Sequence, residues 1–155
     1  MRNFAAGFLS CLLLIVAVGV FGKLLAGETW FVGTVASYHT SGDRDKYEQQ
    51  NWGLGIEQRL TDSFGIVGGV YRNSHRRDSL YFGAAWAPLK LGFVRLGAAA
   101  MLVGGYETKE NDELLKAVFP VVSIEHNGFG INIPIVPPTK YNAGVIGLQV
   151  KWRFQ

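Results

Sequence analysis

From Val145 to Phe154 the chain alternates without interruption. Ile146, Leu148, Val150, Trp152 and Phe154 fall on one side, and Gly147, Gln149, Lys151 and Arg153 on the other. Period-two patterning over this length specifies a β-strand. The apolar set ends in two aromatics, whereas the opposite set is small or charged. A soluble sandwich would turn the polar set to water. A membrane barrel would turn the apolar set to lipid, with aromatics marking the interface. The rest of the sequence decides between them.

The N-terminal segment has the features of an export signal. Arg2 supplies a positive charge, Phe4 to Gly22 is almost unbroken apolar sequence, Lys23 closes it, and Ala26-Gly27-Glu28 offers cleavage after Ala26. Leu24 occupies position −3, where a small residue is usual, and the run is long for a signal. An uncleaved membrane anchor is therefore the alternative reading of residues 1–26. The single cysteine, Cys11, lies inside this run without the flanks of a lipidation box. The expected mature chain, residues 27–155, is cysteine-free, which removes disulfide, thiolate and Cys-zinc chemistry.

That remainder suits one domain, a transmembrane β-barrel. The chain has 20 glycines, frequent aromatics and a net charge of +3, too small and dispersed to suggest nucleic acid as a partner. The pattern predicts eight strands: 29–39, 51–60, 64–73, 79–87, 91–106, 117–126, 128–135 and 144–154. Thr61-Asp62-Ser63, Pro88-Leu89-Lys90 and His126-Asn127-Gly128 are expected tight turns. The segments 40–50, 74–78, 107–116 and 136–143 are longer and mostly polar. Short turns at one end and long loops at the other, with an even strand count, match outer-membrane barrels. The predicted fold is an all-β, eight-stranded, antiparallel up-and-down outer-membrane β-barrel.

Side chains sorted by face predict an interior with two halves. Glu57, Arg59, Arg95, Glu125, Lys151 and Arg153 fall near the short-turn end and should form a salt-bridged floor, because buried charges must pair. Toward the long loops the bore is lined by Ser37, Gly53, Tyr71, Tyr81, Gly83, Ala99, Met101, Phe119 and Val121. That lining is apolar and relieved by glycine, which disfavours a water channel. It admits either a well for a hydrocarbon chain or a bore plugged by its own side chains.

Polar candidates cluster at the outer rim. His39 ends the first strand in phase with Ser37, and Asn73 and Ser74 end the third, followed by His75. A His within reach of a Ser is the minimum for nucleophilic or general-base chemistry on an ester. Rims of small barrels are also commonly rich in these residue types. His126 falls at a short turn on the other end. His75 lies in the basic run from Arg72 to Arg77, suited to lipopolysaccharide phosphates or to solvent. Asp43, Arg44, Asp45 and Lys46 read as a solvated loop or a contact for charged headgroups. The residues call for no cofactor and no metal.

Phe119-Pro120-Val121-Val122-Ser123, Pro137-Pro138-Thr139-Lys140-Tyr141-Asn142 and Trp152-Arg153-Phe154-Gln155 together resemble the C-terminal third of the outer-membrane lipid A palmitoyltransferases. The likeness continues more weakly through Asn51-Trp52-Gly53-Leu54-Gly55. It implies that Pro120, with Pro137 or Pro138, weakens pairing between the sixth and seventh strands and leaves a lateral gap for an acyl chain. Proline can do this because it lacks a ladder donor. The likeness also implies that His39 matches the family's catalytic histidine and Asn73-Ser74 its Asp-Ser pair. Tyr71, Tyr81, Met101 and Phe119 would line the acyl site beside Pro120, Pro137 and Pro138.

Three departures stand out. The family's Asp is Asn73, its N-terminal amphipathic helix has no room before Trp30, and its proline before the second strand is absent. The chain also has the look of small barrels encoded by bacteriophages. The leading expectation is acyl-chain transfer or hydrolysis on lipid A or phospholipid by a monomeric barrel, with His39 as base, Ser74 as nucleophile or polarised hydroxyl and Asn73 orienting the site or donating a hydrogen bond to the oxyanion. The alternatives are a non-catalytic barrel modulating the cell surface and a lipid A deacylase. The deacylases' His-any-Ser-Asn string is not present.

Overall fold

The computed structural model describes residues 27–42, 44–106, 114–139 and 143–154. The expected export segment with Cys11, Asp43, loop residues 107–113, the Lys140-Tyr141-Asn142 part of the motif and Gln155 lie outside them. Eight strands run in order: β1 (Glu28–His39), β2 (Gln50–Arg59), β3 (Phe64–Arg72), β4 (Asp78–Leu91), β5 (Val94–Val103), β6 (Leu115–His126), β7 (Phe129–Val136) and β8 (Val145–Arg153). Each pairs antiparallel with the next, and β8 pairs back onto β1 from Trp30–Arg153 to His39–Val145. Closure leaves no edge strands at the seam between the ends of the sheet.

The alternation of β8 sets its faces as its sequence requires. Ile146, Leu148, Val150 and Trp152 project outward, while Lys151 is buried in the bore. Other strands turn Trp52, Leu54, Leu80, Phe82, Trp86, Val118 and Phe129 outward as well. Apolar exposure on this scale around a whole circumference would be insoluble in water and is matched by the hydrocarbon layer.

The turns follow local chemistry. Asn127 and Gly128 have φ of 49° and 79°, which makes the β6–β7 connection a two-residue hairpin of the primed type. Thr61 Oγ1 accepts from the Ser63 and Phe64 amides at the β2–β3 turn. One turn differs from expectation. Pro88-Leu89-Lys90 belongs to β4, and the chain reverses at Gly92-Phe93 instead, where Gly92 has φ 61°. The β4–β5 register shifts between Trp86 and Leu89, so Pro88 sits in a bulge where its missing N–H breaks no ladder bond.

The floor is a continuous ionic network. Glu125 accepts from Arg59 at 2.5 Å, Lys151 at 2.8 Å and Arg95 at 3.1 Å. Glu57 accepts from Lys151 at 2.9 Å and Arg59 at 3.1 Å. Asn132 bridges Ser123 (2.6 Å) to Glu57 (3.3 Å). Below this layer Glu28 binds Arg59 at 2.7 Å and Arg153 at 2.6 Å. Trp30 is stacked beneath three cations, with Lys151 Nζ 4.9 Å, Arg59 Cζ 5.4 Å and Arg153 Cζ 5.8 Å from its ring. A cavity of about 50 Å³, lined in part by Glu57, Arg59, Arg95, Ser123 and Asn132, has room and polar partners for a few waters.

Candidate functional site

The outer half begins with a backbone irregularity that aims His39. Trp30, Val32 and Thr34 point inward, and simple alternation would carry Ala36 and Tyr38 inward too. The register of β1 shifts between Thr34 and Ala36 against both β2 and β8. The extra residue turns Ser37 and His39 into the bore and Tyr38 toward the outside, where it is exposed. Bulges re-aim side chains in this way next to functional sites. Ser37 Oγ donates to Asn51 Oδ1 at 2.5 Å, and Asn51 Nδ2 donates to the Arg72 carbonyl at 2.9 Å, which ties β1, β2 and β3 together below the rim.

His39 is 2% exposed, and its Nδ1 has no hydrogen-bond partner among the described residues. Its ring stacks on Tyr47 from the β1–β2 loop, centroids 4.2 Å apart and planes within 6°. Tyr47 then meets His75 edge-to-face at 5.8 Å, and His75 meets Tyr106 likewise at 5.8 Å. The Tyr106 hydroxyl lies 3.0 Å from that of Tyr71 and also interacts with Ser74. Burial holds the Tyr106 phenol above its ordinary range, so it stays neutral.

Ser74 is buried, and its carbonyl accepts from the Glu48 amide at 2.9 Å. Among the described residues no hydrogen bond joins Ser74 to His39; Tyr47 links the two sides of the rim. Asn73 is 0% exposed and has every side-chain bond engaged. Its Oδ1 accepts from the His75 (2.9 Å) and Arg77 (3.1 Å) amides, and its Nδ2 donates to Ser79 Oγ and the Gly105 carbonyl, both at 3.0 Å. An amide can make both donations and a carboxylate cannot. Asn73 therefore clamps the 73–77 turn to the start of β4 and the end of β5, and it keeps no donor for an oxyanion. Sequence inspection cannot find this, because the partners come from three separate segments.

The bore beneath the rim differs from an open well. Val67, Tyr81 and Val103 form a buried cluster with Tyr71, Met101 and Tyr106 packed on it. The Tyr81 hydroxyl occupies the notch left by Gly55 and Gly69, where a Cβ on Gly69 would come within 2.8 Å of it. Glycine here makes room for a tyrosine of the same chain, so Tyr71, Tyr81 and Met101 fill this side of the interior.

The opposite wall is where pairing fails. The β6–β7 ladder runs from His126–Phe129 to Val121–Pro134 and stops, although β6 continues from Pro120 to Leu115 along β5. The β7–β8 ladder also skips Ile133 and Pro134, resuming at Ile135–Ile146. Phe119 points inward opposite Ala99, while Pro120 points outward and Pro137 and Pro138 follow the end of β7, all three exposed. Pro134, not singled out from the sequence, is thus a further breaker. Its packing against Gly147 shows why a small residue stands there on β8. Among the described residues no three His, Cys, Asp or Glu side chains converge as a metal would require.

A closed, eight-stranded antiparallel barrel with an apolar exterior and an ionic floor defines the class: an outer-membrane-type β-barrel. Solved structures share that fold. A de novo designed barrel, TMB2.3, superposes with a TM-score of 0.63 at 14% identity, over 84% of this chain and 98% of its own. The N-terminal β-barrel domain of Pseudomonas aeruginosa OprF gives 0.50 at 12% identity, over 81% and 97%. No protein-family model matches. The sequence is weakly homologous to a lipid A acyltransferase, PagP of Laribacter hongkongensis, being 28% identical over 121 residues, which cover 72% of this chain and 58% of that protein. The chain thus spans little more than half the length of the relative it matches.

Proposed function

We propose that this chain is a monomeric outer-membrane barrel that admits a lipid acyl chain sideways between β6 and β7 and modifies lipid A or phospholipid at its outer rim. The early end of the β6–β7 ladder at Val121–Pro134 carries this reading. Unpaired backbone groups are expensive in hydrocarbon, so a wall left open from Leu115 to Pro120 is better suited to passage than to mere closure of a bore. Phe119 would meet an entering chain from inside, with Pro120, Pro137 and Pro138 at the margin. Tyr71, Tyr81 and Met101 then act as the plug that limits its depth.

In this reading an acceptor hydroxyl attacks the ester carbonyl of a phospholipid, its proton passes to His39 Nδ1, and the departing lysophospholipid oxygen takes that proton back. Ser74 polarises a reacting group, and Asn73 orients Ser74 through the turn it clamps. Residues 1–26 serve export. The similarity to a lipid A acyltransferase supports the substrate class.

Expression in an outer membrane followed by mass spectrometry of lipid A tests this. One acyl chain gained relative to a His39→Ala control is the expected result, and spectra that do not differ would refute it. A second reading, a non-catalytic surface barrel, is favoured by the engaged Asn73 and the tyrosine-filled bore. It expects loop exchange to alter phage adsorption while His39→Ala and Ser74→Ala leave everything unchanged. Loss rather than gain of an acyl chain would identify a deacylase.

A further inference from the structure

We infer that Tyr47 is the gate of His39: stacked on the imidazole it covers one face of the ring, and lifting the Tyr47 segment opens the buried His39 to an incoming hydroxyl. The inference rests on the functional reading above for the nature of that hydroxyl. The cover itself stands on geometry alone.

Below His39 the wall belongs to paired strands: Ser37 is fixed by the β1–β8 ladder, and Asn51 is held by two hydrogen bonds. Tyr47 belongs to no ladder. Its segment is tied to the barrel through the Ser37 amide donating to the Gln49 carbonyl at 2.9 Å, the Glu48 amide on Ser74, and an exposed contact of Glu48 with Arg76 at 3.5 Å. The Glu48 carboxylate also receives the Gln49 and Gln50 amides at 3.1 and 3.2 Å, which folds the segment back on itself. The segment lies in no ladder, and such segments open at low free energy.

The second observation is the orphan nitrogen. A buried acceptor without a partner is unfavourable, and functional sites are where such groups persist. Opening at Tyr47 leaves the ladder intact and gives a donor access to the His39 ring. Because Tyr47 also touches His75, which follows Ser74, the same motion bares both sides of the rim together.

Diethyl pyrocarbonate, which modifies accessible neutral imidazoles, reads the cover directly. In the folded full chain in detergent, His39 should react at least tenfold more slowly than His126, followed by peptide mass spectrometry. Tyr47→Ala should raise the His39 rate about tenfold and leave His126 unchanged, whereas Tyr47→Phe, which keeps the stack, should retain protection. Retained resistance of each variant to unfolding in SDS shows that the barrel is intact. Fast labelling of His39 in the parent chain, or continued protection in folded Tyr47→Ala, overturns the gate. If labelling responds as expected while lipid A never changes, the gate stands and the acyl-transfer reading falls.

Discussion

The two halves of this barrel solve the same problem in opposite ways. Both must fill a narrow bore, but the lower half does so with charges in mutual contact, and the upper half with tyrosines, glycines and an unpartnered imidazole. The floor leaves little unsatisfied: Glu57 and Glu125 between them meet Arg59, Arg95 and Lys151. Above it the β6–β7 ladder stops early, β1 carries a bulge, and His39 Nδ1 stands alone. Consistency across levels is what specifies a fold, and its local failure is where function is sought. On the proposed function, the contrast puts stability in the floor and chemistry at the rim.

The sharpest way to break that assignment is to damage the floor. Glu125→Ala would take a shared carboxylate from three buried cations, leaving Arg59 and Lys151 on Glu57 and Arg95 on the exposed Asp62, and removing one side of such a network is destabilising by about 3 kcal/mol. Urea unfolding of the refolded barrel should show the midpoint falling with the slope unchanged. A shift below about 1 kcal/mol would mean that the network is solvated and that the floor is not the stable half. Replacing Glu125 and Lys151 together by apolar residues of similar volume should lose less than Glu125→Ala alone, because the carboxylate and one of its cations then leave together while Arg59 keeps Glu57.

Asn73→Asp tests the border between the halves, and its effect is expected to be smaller. The substitution abolishes the donations to Ser79 and Gly105, and it sets a carboxylate against the Gly105 carbonyl. Two lost or reversed buried bonds correspond to roughly 2 kcal/mol. Amide exchange should rise at His75 and Arg77, whose N–H groups bind the same side chain. If the variant instead gained lipid A modification without losing stability, Asn73 would be a lost catalytic position and not a clamp.

Much of the lower half could be read from the chain alone, and little of the upper. Glu57, Arg59 and Lys151 recur at period two, and burial of charge admits only pairing, so spacing sufficed to place the floor. The bulge after Thr34 was invisible because Val35 and Ala36 suit either face, although it decides where His39 points. Pro88 read as a turn because proline usually marks one, whereas its bulge depends on the strand opposite. Tyr47 lies between Lys46 and Glu48 in a polar loop with no periodicity, so nothing local announces its stack on His39. The four partners of Asn73 come from its own turn, β4 and the end of β5. Each missed feature is a contact across sequence distance, which pattern reading does not reach.

The smallest expected effect carries the opposite sign, which makes it the most discriminating. Pro120 faces outward on β6 at the level where pairing to β7 ends, and Ile135 is the residue that would stand opposite if the ladder continued past Val121–Pro134. Pro120→Val supplies a β-branched strand former and an amide, allowing the ladder to extend. One added bond is worth about 1 kcal/mol net, so the unfolding midpoint should rise slightly and amides from Ala117 to Val122 should exchange more slowly. The same closure should lower any lipid A modification, because the acyl chain would lose its entrance. In the floor, stability falls on substitution; at the wall it would rise as activity falls, the trade expected where local strain is kept for function. A Pro120→Val variant that is less stable, or equally stable and equally active, would show that Pro134 and the Pro137-Pro138 pair hold the opening without it, and would move the entrance from β6 to β7.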